Sequence, residues 1–130
     1  MKKHEQIIIL EDNEISMFVT QGMLASFEDS YTINYFTNTE ETMAYLKGLN
    51  AASGSPVSLF VNVGIILYNE KFIQLAKDTL TSGPFRLFLL SSMPVAGEKK
   101  KHLLNAGFLC CIEKPLTEQK FLQALDNKLP

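Results

Sequence analysis

The chain has 130 residues, 46% of them hydrophobic and 20% charged, a balance that suits one packed domain over residues 1–130 and excludes a disordered, charge-rich chain. A formal net charge of −2 excludes the broad positive field that attracts nucleic-acid backbones and anionic membranes.

The N-terminal stretch MKKHEQIIIL is basic, but its apolar run, Ile7–Leu10, ends at Glu11 and Asp12. That is too short for a secretory signal or a membrane span and reads as a first strand. Ile15, Phe18, Val19, Gly22 and Met23 recur at intervals of three and four, the spacing of one helix face, with Asn13 placed as cap. Tyr31–Phe36 alternates and predicts an edge strand with Ile33 and Tyr35 on one face. Asn38-Thr39-Glu40-Glu41 resembles a capping box opening a helix that carries Met43, Ala44 and Leu46, with Gly48 placed to close it. The small-residue stretch Asn50–Pro56 reads as a loop.

Val57–Val61 predicts a third strand, and Phe72, Ile73, Leu75, Ala76 and Leu80 mark a third helix. Leu87–Leu90 is the fourth strand. Lys99–Ala106 is a shorter fourth helix stopped by Gly107, and its basic run Lys99–Lys101 with His102 reads either as a solvated face or as a partner contact. Leu109–Ile112 is the fifth strand. It holds Cys110 and Cys111, which are too close for an ordinary disulfide and lack zinc spacing, so two buried thiols in a reducing cytoplasm are expected. Pro115–Leu129 carries the fifth helix, with Phe121, Leu122, Leu125 and Leu129 inward.

Four of the five strand runs show little polar alternation, as strands buried on both faces do. Strands alternating with helices imply right-handed crossovers, hence an α/β doubly wound parallel sheet with helices on both faces. Ligands then bind beyond the carboxyl ends of the strands, where strand order reverses. Those ends carry Glu11, Asp12 and Asn13, then Asn62 to Gly64, then Ser91 and Ser92, and finally Lys114. Adjacent carboxylates such as Glu11 and Asp12 repel unless a lysine or a hard cation such as Mg²⁺ compensates, although they can also simply cap the first helix.

The strings IIILEDNE, LFVNV, LFLLSS and EKPL resemble, in order and spacing, the four signature stretches of response-regulator receiver domains of two-component phosphorelay signalling. The resemblance covers essentially the whole chain. It implies a flavodoxin-like five-stranded sheet of order 2-1-3-4-5 and a Mg²⁺ site made by Glu11, Asp12 and the Gly64 carbonyl. It puts Asn62 at the position of the phosphoacceptor aspartate. It also implies phosphate-binding roles for Ser91 and for Lys114, which Pro115 follows. Cys111 stands where the family carries a Tyr or Phe that swings during switching. Ile65-Ile66 and Asn69-Glu70 replace the usual Met-Pro and Asp-Gly.

A neutral amide oxygen is a far poorer nucleophile than a carboxylate, so Asn62 is not expected to accept phosphate. Mg²⁺ affinity should fall with the lost charge, and Lys114 should pair with Asp12 or Glu11. The coincident departures at Ile66 and Cys111 argue for natural divergence and against a single engineered replacement. The expected function is a phosphorylation-independent protein-interaction module. Its partner would be a histidine kinase or another signalling protein, meeting the face of the fourth helix, fifth strand and fifth helix. That face includes Lys99–His102 and the exposed side of Glu118 to Lys128.

A second reading keeps phosphate acceptance, at Ser91, Ser92 or Glu11. An enzyme on this fold is disfavoured, because no Gly-rich phosphate loop follows the first strand and neither His4 nor His102 sits at a strand end.

Overall fold

Uninterrupted apolar runs are satisfied only where both faces of a strand are covered, and the chain places its runs accordingly. The computed structural model describes residues 5–52, 56–69, 71–79, 84–95 and 97–126. Strands β1 (Gln6–Leu10), β2 (Thr32–Phe36), β3 (Val57–Asn62), β4 (Phe85–Ser91) and β5 (Phe108–Glu113) form one parallel sheet in the order β2-β1-β3-β4-β5. The helices are α1 (Glu14–Leu24), α2 (Thr39–Ala52), α3 (Val63–Tyr68), α4 (Lys71–Thr79), α5 (Gly97–Asn105) and α6 (Glu118–Leu125), with a 3-10 turn at Ala25–Phe27 after α1. His4, residues 53–55, Glu70, Leu80, Lys128 and Leu129, each part of an expectation above, lie outside the described residues.

Side chains alternate across a strand, so each sheet face has its own core. Ile8 and Leu10 pack with Leu46 of α2, Phe72 and Ile73 of α4 and Leu103 of α5. Ile7 and Ile9 pack on the other face with Leu24 of α1 and with Phe121 and Ala124 of α6. Phe121 anchors this second core, its ring centroid 5.0 Å from Phe27, 5.5 Å from Tyr31 and 5.7 Å from Phe60. β2 is an edge strand, with Ile33 and Tyr35 on the α1–α6 side together, as their spacing predicts.

The rotation of several helices differs from the sequence expectation. On α1 the buried residues are Met17, Thr20 and Leu24, while Ile15 and Phe18 are each 77% exposed and Val19 is also exposed. Both stripes have helical spacing. Thr20 can sit inside because its hydroxyl donates to the Ser16 carbonyl at 2.8 Å, so the sheet covers the less apolar-looking stripe. Leu75 of α4 and Leu122 of α6 likewise face outward, leaving Phe72, Ile73 and Ala76, and Phe121 and Ala124, to fill the core. On β5 the register shifts opposite Leu87/Phe88, so Leu109 is an extra residue and stands 52% exposed instead of buried. Cys110 and Cys111 are free and half-buried; burial pushes the Cys110 thiol up to about 11.

Helix ends also shift. α2 runs through Gly48 to Ala52, where the Ala-rich sequence favours continuing the helix over stopping it. α6 starts at Glu118, because Thr117 and not Pro115 caps it, accepting from the Lys120 amide at 3.2 Å. Gly107 does end α5, with a φ of +117° that side-chain-bearing residues rarely adopt. The stretch after Asn62 is a helix, α3. Val63–Tyr68 contains no proline, coils directly and buries Ile66.

Candidate functional site

Strand order reverses between β1 and β3, and the carboxyl ends of these two strands bring Glu11, Asp12 and Asn62 onto one rim. Glu11 is fully buried, which for a carboxylate requires a partner. Lys114, just past β5, supplies it: its Nζ pairs with Glu11 Oε1 and also donates to Ser16 Oγ at 3.1 Å. The second carboxylate oxygen, Oε2, accepts the Asn13 amide at 3.1 Å. Both oxygens of Glu11 are therefore engaged from inside the protein.

Asp12 is exposed, and its Oδ1 accepts from Asn62 Nδ2 at 3.0 Å. Asn62 precedes α3 in extended conformation but makes no side-chain cap to that helix; the amide turns across to Asp12 instead. An aspartate here would face Asp12 with like charge, whereas the amide presents a donor. Gly64 lies in the first turn of α3, and a Cβ added there would come within 3.6 Å of Asn62 Nδ2, so the helix packs close against the central amide.

Ser91 ends β4 and is buried, and its hydroxyl donates to the Met93 carbonyl while accepting the Met93 amide at 3.3 Å. This local turn directs the Ser91 hydroxyl into its own loop. Ser92 instead shares a pocket of about 430 Å³ with Asn13, Ser16, Lys114 and Pro115, closed on one side by Ile15 and Val19 of α1. The Lys114-Pro115 peptide is cis. Cys111 lines a separate, smaller pocket with Ser91, Val95 and Lys100. Burial pushes the Cys111 thiol up, and the Lys100 ammonium opposes that shift.

The sequence-predicted residues thus divide. Glu11, Lys114, Asp12 and Asn62 meet as two linked pairs; Ser91 and Cys111 belong to the neighbouring pocket, with Ser91 bonded to Met93. Asn13 was placed on the rim and as a helix cap but given no role in holding Glu11, and Ser16 was not singled out for the site. Their signal was the cap itself: Asn13 Oδ1 accepts the Ser16 amide at 2.8 Å, which sets the Asn13 amide toward Glu11 and the Ser16 hydroxyl toward Lys114.

Mg²⁺ needs several oxygen ligands, and this donor set fits it poorly. Glu11 has no oxygen without a partner, and one oxygen of Asp12 is taken by Asn62. Among the described residues no three or more His, Cys, Asp and Glu side chains converge as a metal-binding group.

No protein-family pattern and no curated protein matches the chain. Solved structures do. A response regulator from Thermotoga maritima superposes with a TM-score of 0.65 at 15% identity, over 97% of this chain and 98% of that one. The fold is that of response-regulator receiver domains. Chemotaxis response regulator CheY4 of Vibrio cholerae gives a TM-score of 0.66 at 14% identity, covering 98% of this chain and all (100%) of that one. A response regulator in red light signaling of R. palustris gives 0.67 at 17% identity, covering 95% of this chain and 90% of that one. At such identities the receiver geometry is shared while the side chains at the rim are this chain's own.

Proposed function

We propose that this receiver-fold chain is a protein-interaction module of two-component signalling that works without accepting phosphate at its central site. The observation that carries the reading is the Asn62 amide donating to Asp12 beside a Glu11 already held by Lys114 and Asn13. Glu11 is satisfied by its own partners and exposed Asp12 shares one oxygen with Asn62, so the resting arrangement holds together without a phosphoryl group or a metal. A Mg²⁺ ion would have to displace Lys114 from Glu11 or rely on Asp12, which supports a weakened site at Glu11, Asp12 and Gly64.

Two of the three alternative acceptors are badly placed for phosphoryl transfer. Ser91 spends its hydroxyl on Met93, and the Glu11 oxygens are buried and occupied. Intact-mass measurement after incubation with acetyl phosphate and Mg²⁺ tests the reading. The mass should stay unchanged; a stoichiometric phosphoryl adduct would overturn it.

The partner class is another protein, a histidine kinase or a signalling protein, and not nucleic acid or a membrane. Among the described residues no helix is long and apolar enough to cross a membrane. Free half-buried cysteines suit a reducing cytoplasm. The proposed contact face is α5, β5 and α6, where Lys99, Lys100 and Lys101 are exposed. The exposed Ile15 and Phe18 of α1 add support for a protein-binding role, since contiguous apolar surface marks contact sites. Charge reversal at Lys100 and Lys101 should weaken partner binding and its salt dependence.

A further inference from the structure

The sheet has two edges, and they are guarded differently. A free edge offers unpaired backbone groups to any extended chain, so edges are ordinarily blunted by charge, proline or a bulge. β5 has such protection: its register shifts opposite Leu87/Phe88, and it ends in the exposed Glu113. β2 has none. Its residues Thr32-Ile33-Asn34-Tyr35-Phe36 include no charge and no proline, pair with β1 in unbroken register, and are mostly β-branched or aromatic. The Thr32 amide donates to the Glu5 carbonyl at 3.2 Å and the Phe36 carbonyl accepts from the Glu11 amide at 3.0 Å, so both residues face β1. By alternation Asn34 does too, and the amides and carbonyls of Ile33 and Tyr35 point away from the sheet. Among the described residues no backbone group pairs with that outer edge.

The two flanks of this edge also differ. Toward α2 it is filled: Asn34 Nδ2 donates to the Tyr45 hydroxyl at 2.8 Å, and the Phe36 and Tyr45 ring centroids lie 5.4 Å apart. Toward α1 runs an open groove of about 700 Å³ lined by Gln21, Glu28, Tyr31, Thr32, Ile33 and Tyr35. The buried Tyr35 hydroxyl has no hydrogen-bond partner, so the fold leaves this wall of the groove incomplete. The groove is also negative. Burial first and Glu28 next push the Tyr35 hydroxyl up to about 12; burial, then Glu5 and Asp126, push Tyr31 up, with Arg86 opposing. Arg86 is paired with Glu5, which leaves Glu28 and Asp126 as the other charges acting on the tyrosines.

We propose that the outer edge of β2 takes up an extended, basic segment of a partner protein as a sixth strand, with alternate lysine or arginine side chains entering the groove beside α1. Backbone hydrogen bonds to Ile33 and Tyr35 hold the segment, and Glu28 with the tyrosine rings selects its cations. A second copy of β2 is the poorer occupant, because β2 itself supplies no cation. The inference goes beyond the reading of the rim and stands whether or not the chain accepts phosphate.

The test titrates the full chain with three short synthetic peptides: valine alternating with lysine, the same peptide methylated at its backbone amide nitrogens, and valine alternating with glutamate. Binding is read from the chemical shifts and hydrogen exchange of the β2 amides. At saturation the valine–lysine peptide should slow exchange at Ile33 and Tyr35 by at least roughly tenfold, while Thr32, Asn34 and Phe36, already bonded to β1, change far less. Backbone methylation and the replacement of lysine by glutamate should each weaken binding by at least roughly tenfold. Glu28→Lys, at an exposed position, leaves folding intact and should reverse the preference between the two charged peptides.

Absence of saturable binding overturns the proposal, as does binding that leaves Ile33 and Tyr35 exchanging freely. Equal binding of the methylated peptide, or an unchanged preference in Glu28→Lys, overturns it as well. Protection of Ile33 and Tyr35 that grows with protein concentration in the absence of peptide would assign the edge to a second copy, and also overturn it.

Discussion

Replacing Asn62 by aspartate puts a second carboxylate where an amide now donates to Asp12 at 3.0 Å. The change removes a hydrogen bond to a charged acceptor, a loss of about 1.5 kcal/mol at a partly exposed position. It also introduces like charges at about 4 Å, which costs about 1 kcal/mol at the dielectric of water and about 4 kcal/mol at an effective value near 20. Asp12 is exposed and Asn62 partly so, which places the repulsion toward the lower end and the total near 2 to 4 kcal/mol. Asn62→Ala removes only the hydrogen bond and isolates the repulsion by difference.

Urea unfolding followed by far-UV circular dichroism suits a chain that has no Trp. In chelator at low salt the order of stability should be wild type, Asn62→Ala, Asn62→Asp. The deficit of Asn62→Asp should shrink with salt and with millimolar Mg²⁺, which would now find a third carboxylate. It should also shrink as pH falls toward about 4. The paired carboxyls bind a proton more tightly folded than unfolded, so protonation favours the fold. If Asn62→Asp matches Asn62→Ala in chelator, the two side chains are not neighbours and the account of the rim is wrong.

Lys114→Met leaves the fully buried Glu11 without its cation and should cost about 3 to 5 kcal/mol, most of it recovered by adding Glu11→Gln; equilibrium unfolding of both variants checks this. Phe121→Ala should cost about 3 to 5 kcal/mol, whereas Phe18→Ser should change stability by no more than about 0.5 kcal/mol, a contrast read from paired denaturation curves. Stability should decline on raising pH above 9. Cys110, raised from 9.0 to about 11, and Tyr35, raised from 10.0 to about 12 chiefly by burial, hold their protons more tightly folded than unfolded. Their contribution is full below the unfolded values and is lost through the folded ones; Cys110→Ala should flatten the lower part of that decline in thermal melts.

The strands and their rim residues were legible because both signals are local. Ile7–Leu10 is apolar at every position, which only a strand covered on both faces tolerates, and the polar residue that ends each run marks the rim. Glu11, Asp12, Asn62 and Lys114 could therefore be placed from order alone, and the parallel sheet followed from strands separated by helices. The strand order came through the receiver resemblance and agrees with the observed sheet.

Helix rotation was not legible. On α1 the stripes through Phe18 and through Met17 both satisfy a helical period, and only the sheet beneath decides which is covered. The same holds for the partner of Lys114. Asp12 and Glu11 are adjacent acids in the sequence, but Glu11 points into the protein, where an unpaired charge is expensive, while exposed Asp12 keeps water and the Asn62 amide. Periodicity and charge in the sequence determined which elements form and which residues reach the rim. Which face each helix buries, and which of two neighbouring groups takes a shared partner, was decided by tertiary packing, because burial sets the free-energy difference between otherwise equivalent local choices.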